Sequence, residues 1–238
     1  MATLREFRYD LTNTVNKYSD DSVLDYRELT WWINTYRVKW LENLYNKFNK
    51  QIPEIYFQTL ECIDVAFVDT IDCCDVDTDC KILRTVEKLP QFLSLIDGEV
   101  ISKVTGPDIV KSSPKDLFQI IRYEQAEFSG HGRYNRDKIF TFLYNNYLYF
   151  ISKEDNFYLP QLTKINVRGI FHNPMDAARF HNCDGVPCWS PEDTYPLEPR
   201  VWTYIKQDIL ANELKLKLTM PEDNTNDTSD NTLPDTQT

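Results

Sequence analysis

One long amphipathic segment, residues 22–48, constrains the fold of this chain more than any other stretch. Its large apolar residues recur at spacings of three and four, which places them on one face of an α-helix. They are Leu29, Ile33, Tyr36, Trp40, Leu44 and Phe48, and Trp32, Leu41 and Tyr45 widen the stripe. Ser22 and Asp25 predict a capped start, and Pro53 a firm end. The predicted helix spans about 40 Å, so it would cross most of a domain whose radius of gyration is about 18 Å.

The other segments predict helices at both ends of the chain and strands between them. Residues 3–18 and the segment that starts at Pro199 have the helical period, and Asn173-Pro174 predicts a short helical turn. Eight short strands, mostly antiparallel, are predicted between these helical parts. We therefore expect an α+β fold, with terminal helices packed together and a long antiparallel, sandwich-like β insertion. The expected units are an N-terminal helical hairpin at 1–52, the β domain at 53–172, a C-terminal helical segment at 173–220, which packs on the N-terminal helices, and an acidic tail at 221–238.

Two β-hairpins are predicted from their turns. Asp97-Gly98 and Asn145-Asn146 each stand between apolar runs, as two-residue hairpin turns do. In the second hairpin Phe140, Phe142 and Tyr144 share one face, and the opposite face is apolar too. We therefore expect a second sheet or a neighbouring subunit to cover this hairpin.

Composition excludes several classes of function. The chain of 238 residues has only six glycines, which disfavours glycine-rich phosphate loops, and a formal net charge of −11, which disfavours binding of nucleic acid by charge. No apolar run reaches the roughly 18 residues of a membrane span, and no signal peptide is evident. Residues 222–238 carry five acidic and no basic side chains, so we expect the tail to be disordered in the free subunit.

The cysteines leave three interpretations open. They lie mostly in two predicted loops, Cys73, Cys74 and Cys80 in the first, and Cys183 and Cys188 in the second, beside His181. Thiolates from two loops with one imidazole are a possible zinc site, although no C-x2-C pair is present. The same residues could form a disulfide between the loops, or remain reduced in a protein that folds in a cytosol.

No combination of residues predicts catalysis. Asp75, Asp77 and Asp79 imitate the start of a calcium loop, but the glycine and the bidentate glutamate of that loop are missing. Ser129 and His131 lie in a glycine-containing turn without a nucleophile elbow. The charged residues around that turn, Arg122, Glu124, Glu127 and Arg133, are typical of surface or interface ion pairs. We therefore predict no catalytic, cofactor-binding or metal site, and no enzyme.

Adjacent Trp31 and Trp32 predict an interaction surface. Neighbouring side chains of a helix point about 100° apart, so we expect one of the two tryptophans to lie outside the main apolar stripe. A large aromatic side chain outside the core is typical of a protein interface.

Several motifs follow one another in an order that resembles a known protein family. The long helix contains YRELTWWINTYRVKWL, followed by a Cys62-bearing strand, Asp72-Cys73-Cys74, Cys80-x-x-Leu83-Arg84-Thr85 and RYEQAEFSGHGRYN. The YNNYLYFIS hairpin, INVRGIF-HNP-DAARF, CDG–PC and YP-x-x-P–W-YIK-DI complete the series. This order looks like a virion structural protein of crAss-like bacteriophages, which in better-understood members is a ring protein of the head-to-tail connection. Terminal helices that clasp a β insertion are also similar, by architecture alone, to the tail-adaptor proteins of short-tailed phages.

The resemblance implies a structural subunit without enzymatic activity or cofactor. Copies would form a closed ring of twelve at the portal vertex, in contact with the portal protein or adjacent tail rings. DNA would pass through the lumen without specific binding, and no membrane would be involved. The subunit would be made in the cytoplasm of the host bacterium. The alternative is a zinc-binding or small-molecule-binding regulatory enzyme, which stoichiometric zinc in the purified protein would favour.

Overall fold

The part of the chain that the structure, a computed structural model, describes combines three α-helices with a mixed β-sheet. The described residues are 2–16, 24–47, 52–69, 81–95, 98–106, 118–129, 138–152 and 159–214. The helices are α1 (Leu4–Asn16), α2 (Tyr26–Lys47) and α3 (Pro199–Ile209), which continues into a π-helical turn at Leu210–Leu214. The strands are β1 (Gln58–Asp69), β2 (Lys81–Thr85), β3 (Ser94–Leu95), β4 (Gly98–Glu99), β5 (Ile101–Thr105), β6 (Phe118–Ile120), β7 (Ile139–Tyr144), β8 (Tyr147–Ile151) and β9 (Lys164–Gly169). The α+β prediction is confirmed.

Seven of the strands form one sheet in the order β5-β9-β1-β2-β8-β7-β6. Its two end strands, β5 and β6, approach each other, so the sheet curls into a nearly closed wall. One side of this wall lines the core with fully buried side chains, among them Leu60, Leu83, Ile139, Leu148, Phe150, Ile165 and Val167. The β region is thus one curled sheet with a separate β3-β4 hairpin, where a sandwich-like insertion was expected.

One strand pair departs from the antiparallel expectation. Strands β6 and β7 run parallel, with Phe118 opposite Ile139 and Ile120 opposite Thr141. The 18 residues between these two strands are enough for the crossover that parallel pairing needs. All the other described pairs in the sheet are antiparallel.

The predicted turn residues are correct for one hairpin. In the other hairpin Gly98, which was predicted to be a turn residue, belongs to a strand. Asn145 and Asn146 both have positive φ, as the turn between β7 and β8 requires. In the first hairpin Gly98, at a φ of 113°, pairs with Leu95 and so belongs to the ladder, while Asp97 lies outside the described residues. A strand can begin at such an angle because glycine has no Cβ to clash.

The long helix is shorter than predicted and begins at a different cap. The Asp25 side chain accepts a hydrogen bond from the Arg27 amide at 3.0 Å, and α2 starts at Tyr26. Its 22 residues span about 33 Å. Ser22, Phe48 and the acidic tail at 221–238 lie outside the described residues. None of the described helices is long and apolar enough to cross a membrane.

The terminal helices pack together as expected. Asp10 of α1 accepts hydrogen bonds from Trp202 Nε1 at 2.8 Å and from Lys206 Nζ at 2.8 Å, both on α3. Helix α2 contacts both α1 and α3. At the start of α1, Thr3 and Glu6 form a reciprocal capping box. The two ends of the described chain therefore share one helical layer.

A buried arginine fastens this helical layer to the segment that follows β9. Arg37 of α2 is fully buried, and its guanidinium donates to the Pro196 carbonyl through Nε at 2.9 Å and to the Phe171 carbonyl through Nη1 at 3.1 Å. Its carbon Cζ lies 5.9 Å from the centre of the Tyr195 ring. Burial lowers the pKa of Arg37. Arg37 thus joins two points 25 residues apart in the chain to the middle of one helix.

One turn before Arg37, polar side chains form a second attachment between α2 and the segment that follows β9. The Tyr195 hydroxyl donates to Asn34 Oδ1, and Asn34 Nδ2 donates to Asn173 Oδ1 at 3.1 Å. Asn173 also accepts from the Met175 amide, the N-cap contact expected of Asn173-Pro174. Buried polar groups that are satisfied in this way fix one relative position of the elements they connect.

We predict that Arg37→Met destabilises the fold strongly. Methionine fills much of the same volume but cannot donate, so two buried carbonyls lose their partner, at about 1–3 kcal/mol each. Relief of the buried charge offsets part of this cost. The net loss should be about 2–4 kcal/mol, seen as a fall in Tm of about 5–15 °C. Arg27→Met, the same change at an exposed position of α2, is the control, and equal melting curves for the two variants would contradict the assigned role of Arg37.

Alkaline pH should weaken the fold through Tyr195. Burial raises the pKa of Tyr195 to about 12, well above the value of about 10 that is usual for tyrosine. The folded state therefore holds this proton more tightly than the unfolded state, so its contribution is complete below pH 10 and is lost as the pH rises through 12. The loss between pH 8 and pH 12 should be about 2 kcal/mol, measured from the urea midpoints at the two pH values. The variant Tyr195→Phe should have a lower urea midpoint at pH 8, because it lacks the hydrogen bond to Asn34. Its midpoint should fall less than that of the parent between pH 8 and pH 12. An equal fall in the two proteins would contradict the role assigned to Tyr195.

Candidate interaction surfaces

A cluster of aromatic rings covers the outer side of the sheet at β7 and β8. Tyr123, from the 3₁₀ turn Tyr123–Phe128, stacks on Tyr144 with ring centres 4.8 Å apart, and Phe142 stacks on Tyr149 at 5.3 Å. Phe142 and Tyr149 are buried, whereas Tyr123 and Tyr144 are exposed. We call these four residues, together with Tyr147, the aromatic face. The cover predicted for Phe142 and Tyr144 thus comes in part from the chain itself, through Tyr123.

Positive charge borders the aromatic face. The guanidinium of Arg84 lies 4.3 Å from the centre of the Tyr147 ring, and Lys88 Nζ lies 5.8 Å from it. Arg84 Nη1 also donates to the Tyr149 hydroxyl at 3.4 Å. Cations at such distances are attracted to the ring faces and hold them in place. In a chain of net charge −11, this border favours a partner surface that is apolar with acidic groups at its edge.

The three helices expose large aromatic side chains on the other part of the molecule. Trp31 is 61% exposed whereas Trp32 is 2% exposed, which confirms that the two adjacent tryptophans diverge. Tyr9 of α1, Tyr26 of α2 and Tyr204 of α3 are each more than half exposed. Tyr204 stacks on the half-buried ring of Trp40 with ring centres 5.8 Å apart. We call Tyr9, Tyr26, Trp31 and Tyr204 the helix aromatics.

The two sets of aromatic residues belong to different parts of the fold. The helical layer is tied to the segment after β9, and Gln58 at the start of β1 bonds to the Pro174 carbonyl. In the strand order, β8 lies two positions and β7 three positions from β1. The chain therefore exposes large aromatic side chains both on the sheet and on the helices.

The residues that sequence analysis considered for catalysis do not come together in the described part of the chain. The Ser129 hydroxyl donates to the Ala126 carbonyl at 2.6 Å, which caps the 3₁₀ turn. Arg122 and Glu124 line an open depression of about 320 Å³ beside Tyr123. His131, Arg133 and the aspartates Asp75, Asp77 and Asp79 lie outside the described residues, and the Glu127 side chain is not described.

The cysteines pair in a way that sequence analysis did not anticipate. Cys183 forms a disulfide with Cys62 in β1, with a Cα–Cα distance of 5.2 Å, and Cys188 is a free thiol. Cys73, Cys74 and Cys80 lie outside the described residues, so the predicted proximity of the two cysteine loops stays a prediction. Among the described residues there is no group of three or more His, Cys, Asp or Glu side chains that could hold a metal ion.

Comparison with known proteins gives two consistent matches. The family described as phage tail ring protein 2 matches residues 6–232. Ring protein 2 of Bacteroides phage crAss001 is 24% identical to the chain over 243 residues, which cover 98% of this chain and 99% of that protein. The match includes the helical layer, the sheet and the segment between them.

Proposed function

Since the chain belongs to the phage tail ring protein 2 family, we propose that its copies assemble into a closed ring of twelve that connects the portal to the tail and encloses the DNA channel. A structural role in a phage tail ring follows from the family itself and implies a protein of the virion that is not an enzyme. The observation that carries the proposal of a ring is the exposure of large aromatic side chains on two different parts of the fold, the aromatic face and Trp31 of α2.

A ring of identical subunits needs two different contact surfaces. Each subunit meets one neighbour with the first surface and the other neighbour with the second, in a heterologous contact that closes when the rotation between copies fits. The aromatic face and the helix aromatics meet this requirement, because they lie on different elements and are both exposed in part. Tyrosine and tryptophan are the residues that contribute most to binding at such contacts. We assign the aromatic face and Trp31 to the two sides of the subunit contact.

The charge of the chain supports passage of DNA through the ring. With a net charge of −11 per subunit, a ring of twelve would carry a large excess of acidic groups. Phosphates bind to proteins mainly through lysine and arginine, and a wall without a basic surface lets DNA pass without being retained. The portal protein or an adjacent tail ring would be the axial neighbour, and synthesis would take place in the bacterial host.

We predict that variants of the two surfaces block ring closure in complementary ways. Trp31→Ser removes the aromatic side chain of α2 from one side of the contact. The double variant Tyr123→Ser/Tyr144→Ser removes the stacked pair of the aromatic face from the other side. Each variant alone should remain monomeric in native mass spectrometry at concentrations where the parent forms rings. Mixed in equal amounts, they should form a complex of one copy of each, because one intact surface remains on each partner.

Val86→Ser is the matched control for these variants. Val86 is an apolar side chain that is more than half exposed and belongs to neither surface, so its variant should form rings as the parent does. Rings formed by all variants would show that the contacts lie elsewhere. A mixture that stays monomeric would show that the two surfaces do not bind each other.

A further inference from the structure

We propose that Cys62 and Cys183 form a redox latch, closed by a low-molecular-weight disulfide after the subunit leaves a reducing cytosol, which ties the loop at residues 180–188 to β1. Cys188 is the neighbouring thiol that stays outside the pair. This inference concerns stability after assembly and does not depend on the ring contacts proposed above.

The backbone of β1 is shaped to direct Cys62 out of the strand. The pairing of β1 with β9 shifts register between Leu60 and Ile63, and Cys62 within this bulge has a φ of 55°, which is uncommon for a residue other than glycine. A bulge turns a side chain away from the direction that the strand would give it. The Cys62 amide donates to Asn166 Oδ1 at 2.9 Å, so a side chain satisfies the backbone group that the bulge leaves without a ladder partner. The bulge is therefore held by contacts other than the disulfide.

The loop that carries Cys183 is also formed by its own hydrogen bonds. His181 and Pro187 make a β-bridge, and the side chain of Asn182 accepts from the amides of Asp184 at 3.0 Å and Val186 at 2.9 Å. The Cys188 amide closes the loop on the Phe180 carbonyl at 2.7 Å. Both halves of the pair are thus positioned in advance, and the Cα–Cα distance of 5.2 Å lies within the range that a disulfide spans.

Small thiols and disulfides can reach the pair. Cys183 is exposed, and a cavity of about 220 Å³, lined in part by Asp64, Glu87 and Arg179, opens beside Cys62. Exposed disulfides are the ones that exchange with small thiols, whereas inaccessible ones persist. The latch is therefore open in a cytosol, where thiols are kept reduced, and closes in an oxidising medium.

Closure is a balanced exchange with a small disulfide, RSSR. The exposed Cys183 thiolate attacks one sulfur of RSSR, which forms Cys183–S–SR and releases RS⁻. The Cys62 thiolate then attacks Cys183 Sγ, which forms the protein disulfide and releases the second RS⁻. The two protons of the protein thiols pass to these thiolates, so two cysteines are oxidised while RSSR is reduced to two RSH.

Cys188 is close to the pair yet poorly suited to replace either member. Its Sγ lies 3.4 Å from the amide nitrogen of Glu61, the residue directly before Cys62. Burial raises the pKa of the Cys188 thiol, so little of it is thiolate at neutral pH. Since the thiolate is the form that attacks a disulfide, Cys188 exchanges slowly and the pairing of Cys62 with Cys183 is maintained.

The latch joins distant parts of the chain. Its two cysteines are 121 residues apart in sequence, and a cross-link over such a loop removes many conformations from the unfolded chain. Closure should raise the Tm by about 5–15 °C, the shift that corresponds to the usual stabilisation by a disulfide in a chain of this size.

The test combines peptide mapping with melting curves of the full chain. The protein is purified, exposed to oxidised glutathione, alkylated without reduction and digested. Cys62 and Cys183 should appear in one linked peptide pair, and Cys188 should be alkylated. A reductant should lower the Tm of the parent and of Cys188→Ser by the same amount, but not that of Cys62→Ser/Cys183→Ser.

Two results would overturn the latch. One is a map in which Cys183 is alkylated, or linked to Cys188 or to another cysteine. The other is a double variant whose Tm still falls with reductant as the parent's does. The map uses the unaltered chain, so it decides the question even if the double variant fails to fold. Ring formation by the reduced parent is measured in a separate experiment. A result that contradicts the latch therefore does not contradict the proposed ring.

Discussion

The described part of the structure depends on one buried cation, Arg37, which is held by backbone carbonyls. Arg37 is fully buried, so its charge carries a large desolvation cost that only well-placed acceptors offset. Those acceptors are the carbonyls of Phe171 and Pro196, at the two ends of the segment between β9 and α3. A small displacement of α2 would break both bonds at once. Helix α2 therefore has one position relative to this segment, and α1 and α3 take theirs from α2.

This fixed position explains how the exposed aromatic residues become a usable surface. Ile33 and Arg37 lie on the buried face of α2, and Trp31 lies on the opposite face, in solvent. On the sheet, Tyr144 is exposed, and Tyr123 stacks on it from the 3₁₀ turn that follows β6. The helices and the sheet share one hydrophobic core, so Trp31 and the aromatic face cannot move relative to each other without disrupting its packing. A subunit with two rigidly related surfaces repeats the same rotation at each contact, which is what closure of a ring requires.

Local patterns predicted the elements of this fold better than their partners. The helical stripe of α2 and the Asn145-Asn146 turn were predicted because spacing and positive φ are properties of neighbouring residues. Arg37 was missed although it stands four residues after Ile33 and four before Leu41, in the middle of that stripe. An arginine at such a place was a usable signal of a buried polar attachment. The parallel pairing of β6 with β7 and the partner of Cys183 depend on residues far apart in the chain, and no short pattern specifies them.

The segment between β9 and α3 is thus held by two attachments of different chemistry. Near its ends, Arg37 binds carbonyls through bonds that persist at any redox potential. In its middle, Cys183 is joined to β1 by a bond that a thiol can open. Between these points the side chains of Trp189 and Tyr195 are buried in the core, so release of the disulfide frees the surface loop while the helical layer stays in place. Taken with the two proposals above, this arrangement implies a subunit that folds and displays its contact surfaces while reduced, and that gains resistance to unfolding later without a change in those surfaces.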